Sequence, residues 1–388
     1  MNKKILFVRT VPYDFNPNTY NVQPYGLGKA FCNMGYDYDF ICFNKRSQNV
    51  WTFYEHNGHK ARCIEKKRIR WFRMGINIEI TNRAFLDTYD LIITTEYDQI
   101  ESYLLSRHSN KVVLYNGPYY NMFCLKYMSF VYDLFFTKTF NEQLKHKFAK
   151  SELAKRFLES KGYNDITTIG VGLDTERFDD NIHMTLETNV IVDYMKSNRC
   201  ILYVGALSER KNFPFMLKIF QKVKAKYDDV KFVIIGKSKQ STIAKLIGKQ
   251  DDSYAASYMG QLSADVKKSI FYVEKIDNSQ LKFIYPLAKA FLLPSKLEIF
   301  GMVLLEAMYL KAPVISSRNG GSVTLIENRK TGQIVSEFDV IKWTDAVFRY
   351  LDNPEYSIQT VNAAHELIVT EFRWEAIARK MLKTLNML

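Results

Sequence analysis

The sequence predicts an α/β fold of two domains, each built on a parallel sheet with helices on both faces. Three observations carry this. Short, continuous apolar runs alternate with helical segments along the whole chain, the pattern of strands buried on both faces of a parallel sheet. The alternation breaks at TIGVGLDTERFDD (168–180), where two glycines lead into a polar, acidic run, and then restarts. A length of 388 residues exceeds what one hydrophobic core usually serves and suits two.

Taken in order, KILFVR (4–9) and YDFICF (38–43) read as strands flanking a helical stretch at GLGKAFCNMG (26–35). WTFYEH (51–56) and HKARCI (59–64) read as an inserted hairpin around Asn57-Gly58, a dipeptide suited to a tight turn. YDLIITT (89–95), KVVLYNG (111–117) and DLFFTK (133–138) follow as strands, each succeeded by a helical pattern. After the break come CILYVGA (200–206), a helix from about 213, VKFVIIG (230–236), SIFYVEKI (269–276), AFLLPS (290–295) and PVISS (313–317). Two Rossmann-like halves divided near residue 175 result. Helical patterns from about 355 and again at FRWEAIARKMLKTLNML (372–388) close the chain.

Composition is globular, with 47% hydrophobic and 24% charged residues, which excludes a disordered or fibrous chain. A net charge of +13 favours anionic partners. Residues 60–73 hold seven basic residues against one acid, with Trp71 and Phe72 interleaved, and 138–161 form a second basic stretch with helical periodicity. Such surfaces suit anionic lipid headgroups, a solvated face or the rim of an acidic ligand. No nucleic-acid module accompanies the charge, so no nucleic-acid partner is expected. Five widely spaced cysteines imply no disulfide framework and fit a reducing compartment. The N-terminus reads as a strand rather than a signal peptide, and no run of about 18 apolar residues forms a spanning helix. A cytoplasmic protein, with peripheral attachment to the inner membrane face as a further option, is the expectation.

The most informative stretch is AFLLPSKLEIFGMVLLEAMYLKAPVISSRNGG (290–321). It reads as strand, glycine-containing turn, helix and strand, one βαβ unit. The helix N-terminus is a ready anion site, and Gly301 lets backbone amides approach a phosphate closely. Glu298 lies before the helix and Glu306 about two turns later. A carboxylate accepts hydrogen bonds from vicinal hydroxyls, so the pair suits a nucleotide-sugar. In VGALSERKNFPFMLKIF (204–220) a strand ends at Gly205, and Arg210 and Lys211 precede the next helix. Cations there can neutralise a diphosphate leaving group.

The spacing Glu298-x7-Glu306, with PSKLEIFGMVLLEAM and APVISSRNGGSVTLIENRKTGQIV around it, resembles the signature of the retaining GT-B glycosyltransferases, family 4 (glycosyl transferases group 1). The resemblance is specific in 200–335 and loose in 1–175. It implies two Rossmann-like domains facing an interdomain cleft: 1–175 with a returning helix at 373–388 on the acceptor side, and 176–372 binding the donor. It implies catalytic positions at Glu298, Lys211, Arg210 and Asn116, and donor contacts at Gly205, Lys275, Ile276, Asn278, Phe300, Gly301, Met302, Glu306 and Thr19. Lys211 would touch the diphosphate and Arg210 stand in for an arginine whose usual place is Ala206. Lys275, Ile276 and Asn278 would hold the nucleobase, and Asn116 stands where the family often has a histidine. The first loop, 13–29, lacks the family's Gly-Gly pair and offers Asn18-Thr19 instead. No metal or cofactor is implied.

The implied activity is retaining transfer of a hexosyl or N-acetylhexosaminyl group from a UDP- or GDP-sugar to a hydroxyl of a glycan, a lipid-linked or cell-surface polysaccharide intermediate. A sugar-nucleotide epimerase and a non-catalytic glycosyltransferase-like partner subunit are the alternatives. Donor base, sugar, acceptor, linkage and oligomeric state are not legible. Asp37-Tyr38-Asp39 has metal-binding spacing but reads as a turn into a strand. His56, His59 and Cys63 have zinc-like spacing without a fourth ligand. Gly26-x-Gly28 lacks the third glycine of a dinucleotide loop.

Overall fold

The computed structural model describes residues 2–388 apart from 12–13, 17–21, 45–47, 72–73, 124–125, 180 and 239–253. The chain divides into two compact units, Met1–Asp174 with Glu371–Leu388, and Thr175–Thr370. The return to the first unit begins at Glu371, two residues before the boundary read from the sequence.

The first unit carries β1 (Lys4–Val8), β2 (Asp37–Phe43), β3 (Val50–His56), β4 (His59–Lys66), β5 (Ile69–Trp71), β6 (Met74–Ile76), β7 (Leu91–Thr94), β8 (Val112–Asn116), β9 (His146–Ala149) and β10 (Ile166–Thr168). Eight of these form one sheet in the order β10-β9-β8-β7-β1-β2-β4-β3. Only the β3–β4 pair in it is antiparallel. β7 and β8 are wholly buried, which is why they read as unbroken apolar runs.

Three sequence expectations change. The hairpin is not an insertion: its second strand pairs in parallel with β2 and extends the main sheet, with Asn57 and Gly58 both at positive φ in the turn. DLFFTK is not a strand. Asp133–Thr137 is a wide helical turn between helices Lys126–Tyr132 and Lys138–Gln143, since a short apolar run has no period to separate the two states. The basic stretch 138–161 is helix, strand, helix: Lys138–Gln143, β9 and Glu152–Ser160. Its strand was hidden because a lysine and a histidine interrupt the apolar pattern.

Helix Trp374–Thr384 is held in the first unit by packing. Leu173 donates its amide to the Phe372 carbonyl at 2.7 Å. A Cβ on Gly26 or Gly172 would stand 2.1 or 2.4 Å from the Trp374 ring, and one on Gly170 2.5 Å from Phe372. Three glycines therefore open the slot that two aromatic rings fill. Tyr36 adds a hydroxyl bond to the Met387 carbonyl at 2.5 Å.

The second unit carries β11 (Arg199–Val204), β12 (Val230–Ile235), β13 (Ile270–Val273), β14 (Ala290–Leu293), β15 (Val314–Ser316) and β16 (Gln333–Ile334). They form a parallel sheet in the order β13-β12-β11-β14-β15-β16. Helices Phe213–Lys226 and Val340–Asp352 pack together on it through Phe213, Met216, Phe220, Trp343 and Val347. No helix among the described residues is long and apolar enough to cross a membrane.

Replacing a buried Trp by Ala costs about 3–5 kcal/mol. Trp374→Ala is expected to lose that much in urea unfolding, and a loss under about 1 kcal/mol would mean that the returning helix does not stabilise the first unit.

Candidate functional site in the second unit

β11 comes first in the second sheet, and the chain then builds outward through β12 and β13. It returns to lay β14, β15 and β16 on the other side of β11. The β11–β14 boundary is thus the point where strand order reverses, and ligands of open α/β sheets bind at the carboxyl ends there. The loops after β11 and β14 both emerge at that edge.

Glycine lets these loops close up. Gly205 adopts φ +146 at the end of β11, open to glycine and few others. A Cβ on Gly236, after β12, would lie 1.8 Å from the Gly205 carbonyl oxygen, and one on Gly321, after β15, 1.6 Å from that of Phe300. Gly320 donates its amide to the Glu298 carbonyl at 3.1 Å. Ser317, Asn319 and Ser322 lock the same loop: Ser322 donates to the Ser317 carbonyl at 2.7 Å, and Asn319 to Ser316 Oγ and the Ser317 carbonyl at 3.0 Å each. Sequence reasoning did not single out this buried polar cluster, although a run of small polar residues between a strand and a helix is a loop signal.

The charged centre bridges the reversal point. Lys211, buried at the end of the single turn Glu209–Lys211, binds Glu298 from the loop after β14. Arg210 Nη1 reaches Glu298 Oε2 at 3.1 Å and the Leu297 carbonyl at 2.7 Å. The Lys296 amide donates to the Arg210 carbonyl at 2.8 Å, so backbone and side chains hold the two loops together. Lys211 and Glu298 expose only 9% and 13% of their side chains, and a buried pair of this kind is costly to break by removing one partner.

Gly301, at φ +79, caps helix Met302–Tyr309 with no side-chain hydrogen bond to its first amides. Those amides carry the positive end of the helix dipole. A Cβ on Gly301 would press to 2.9 Å from Glu298 Cγ. Phe300 is buried beneath this turn and Met302 is half-buried.

Glu306, two turns along, is fully buried. Its Oε2 accepts from Asn278 Nδ2 at 3.4 Å, and its Oε1 has no hydrogen-bond partner among the described residues. Burial pushes its carboxyl pKa well above the ordinary range. Asn278 in turn accepts from Arg177 Nη1 at 3.5 Å, and nothing in the sequence linked Arg177, a hundred residues upstream, to this cluster. Ile276 is half-buried and Lys275 exposed in the loop after β13. A neutral carboxyl can donate through one oxygen and accept through the other, which matches a vicinal diol.

The structure thus gathers Gly205, Arg210, Lys211, Glu298, Phe300, Gly301 and Met302 at one sheet edge, with Glu306 and Asn278 joined beside them. Asn116 is different. It is fully buried at the end of β8, its Oδ1 accepting from the Tyr97 amide at 3.3 Å and its Nδ2 donating to the Pro118 carbonyl at 2.9 Å. Both ends of its amide serve backbone, so it holds a loop. Thr19 and Asn18 lie outside the described residues. Asp39 is occupied by Lys4 at 2.8 Å, Arg62 at 2.8 Å and Tyr89 at 2.8 Å, the role of a structural carboxylate.

The basic segment 60–73 is largely spent on ion pairs: Lys60 with Glu55, Arg62 with Asp39, Lys66 with Glu79, and buried Arg68 with Asp14. Phe72 and Arg73 lie outside the described residues. In 138–161, Lys147 is buried against Asn141 and Asn164, and Lys150 bonds Gln23 at 3.1 Å over the Tyr115 ring.

The raised Glu306 pKa has a stability consequence. The folded chain holds this proton more tightly than the unfolded chain, so the contribution is full below the ordinary glutamate range and is lost as pH rises through the raised value. Between about pH 5 and pH 9, the unfolding midpoint of the wild type is expected to fall relative to that of Glu306→Gln; parallel curves would refute a buried neutral carboxyl.

Residues 193–367 match the family model described as glycosyl transferases group 1. A probable sucrose-phosphate synthase of Thermosipho melanesiensis is 27% identical over 267 residues, covering 68% of this chain and 55% of the relative. The capsular polysaccharide biosynthesis glycosyltransferase CapM of Staphylococcus aureus is 25% identical over 216 residues, 51% of this chain and 47% of the relative. The chain spans about half the length of these curated relatives. Among solved structures, Anabaena HepE in complex with UDP and glucose superposes with a TM-score of 0.65 at 13% identity, covering 100% of both chains. At that identity the likeness speaks for the fold, which is GT-B. The match to the glycosyl transferases group 1 model, residues 193–367, lies entirely within the second unit.

Proposed function

We propose that the protein is a retaining glycosyltransferase that moves a hexosyl or N-acetylhexosaminyl group from a UDP- or GDP-sugar to a hydroxyl of a glycan. The observation that carries this reading is the buried Glu306 carboxyl with an unpartnered oxygen, set behind the Glu298–Lys211–Arg210 cluster at an uncapped helix N-terminus. The diphosphate sits against the amides after Gly301, with Lys211 and Arg210 supplying positive charge. Glu306 holds the ribose diol, Ile276 and the backbone near Lys275 and Asn278 hold the base, and Glu298 holds donor-sugar hydroxyls. HepE, of the same fold, is described in complex with UDP and glucose, which favours a nucleotide-sugar donor.

Charge builds on the diphosphate as the glycosidic bond breaks. Two cations and a helix dipole aimed at that oxygen stabilise it without reorganising. The acceptor hydroxyl attacks from the face the diphosphate leaves, and a diphosphate oxygen takes the proton, so no protein base is required and no metal is called on. The likeness to CapM favours a polysaccharide intermediate, lipid-linked or at the cell surface, as acceptor.

Thermal shifts with UDP, GDP, ADP and CMP, with and without EDTA, test the donor site. One diphosphate is expected to stabilise the chain regardless of EDTA, by about 2.7 kcal/mol at a hundredfold excess over Kd. No shift with any nucleotide would overturn the reading and favour a non-catalytic partner subunit.

Variants separate the roles. Glu306→Ala is expected to weaken nucleotide binding by about 1–3 kcal/mol, while Lys211→Ala lowers turnover by about 10²–10³ and Glu298→Ala lowers turnover more than binding. Wild-type kinetics in all three would refute the assignments, and product with inverted anomeric configuration by NMR would refute retention.

A further inference from the structure

The helical segment that replaced an expected strand presents an unusual surface. Tyr127, Phe130, Val131, Leu134 and Phe135 are between 50% and 84% exposed. They recur three and four residues apart through helix Lys126–Tyr132 and the wide turn Asp133–Thr137, so they share one face. The opposite face is anchored. Tyr132 is buried and donates to the Tyr97 carbonyl at 2.8 Å, and Thr137 is buried and bonds Asp133 at 3.1 Å. Lys161 reaches Ser129 at 3.5 Å and pairs with Asp133 at 2.5 Å. A firmly seated helix thus holds five large apolar side chains in water. Contiguous exposure of this size marks an interaction surface.

The charges around it select the occupant. Exposed Lys138 lies on the same stripe, one turn beyond Leu134, with exposed Glu142 a further turn on, and Asp133 is matched by Lys161. A second copy meeting this face across a twofold axis would set it against itself, bringing Lys138 and its symmetry mate together on chains of net charge +13. An anionic bilayer suits both parts: aromatic and leucyl side chains enter the headgroup–acyl boundary while lysines meet phosphates. With most cations of 60–73 already paired, the electrostatic surface read from sequence is not the better candidate.

We propose that the face formed by Tyr127, Phe130, Val131, Leu134 and Phe135, with Lys138 at its rim, docks the protein on the surface of an anionic lipid bilayer. It deepens, and in that respect rests on, the reading of a lipid-linked acceptor given above.

Sedimentation of the 388-residue chain with vesicles of phosphatidylcholine, alone or mixed with phosphatidylglycerol, tests this. The wild type is expected to bind the mixed vesicles preferentially, Phe130→Ser/Phe135→Ser to bind at least about tenfold more weakly, and Lys138→Glu to bind more weakly with a reduced salt dependence. Because the substituted residues are exposed, unchanged circular dichroism and an unchanged thermal shift with whichever diphosphate stabilises the wild type verify that the variants are folded. No binding by the wild type, equal binding to neutral vesicles, or equal binding by the double variant would overturn the docking face. So would a dimer in sedimentation velocity that the double variant dissociates while neither chain binds vesicles. Variant-sensitive binding to anionic vesicles in a chain that no nucleotide stabilises would refute the transferase reading and leave the docking face standing.

Discussion

The link from Lys211 and Arg210 to Glu298 is the constraint on which the second unit's edge depends. It joins the loops after β11 and β14, strands adjacent in the sheet although almost ninety residues separate them in the chain. A carboxylate and an ammonium with so little exposure are stable only while they face each other or a ligand of suitable charge. On the function proposed above, the same pair exchanges partners: the diphosphate gives Lys211 and Arg210 new negative charge, and donor hydroxyls give Glu298 new donors.

Close backbone approach makes that pairing geometrically possible. Gly205 with Gly236, and Gly321 with the Phe300 carbonyl, bring loops from four strands within contact distances no side chain would tolerate. The serine–asparagine cluster beneath them satisfies buried backbone groups that would otherwise oppose such crowding. Behind this rigid rim, Glu306 is a buried carboxyl whose environment is left incomplete, with one oxygen bonded weakly and the other without a partner among the described residues. Desolvation is a standing cost there, and a ligand that bonds that oxygen offsets it.

The first unit spends its charge differently. Asp39 gathers Lys4, Arg62 and Tyr89, and Arg68 is buried against Asp14. Much of the chain's basic excess in 60–73 is thus structural. The exposed apolar helix face, not the densest run of lysines, is the surface that water leaves unsatisfied.

Chain-local physics determined the order of elements. Buried parallel strands must read as unbroken apolar runs, so β1, β2, β7, β8, β11, β12, β14 and β15 were legible, as was the break between the two halves near residue 175. The Asn57-Gly58 turn and the Glu298–Glu306 spacing were legible for the same reason: each is set within a few residues. Tertiary structure decided what local pattern leaves degenerate. The run at 133–138 became a solvent-facing helix because Tyr132 and Thr137, on its other side, found the core. His146–Ala149 became an interior strand because β8 and β10 flank it, whatever its own polarity. Asn116 turned inward to bond backbone, and Arg177 reached Asn278 across a hundred residues. Such pairings depend on which strands lie side by side, and no window of sequence contains that information.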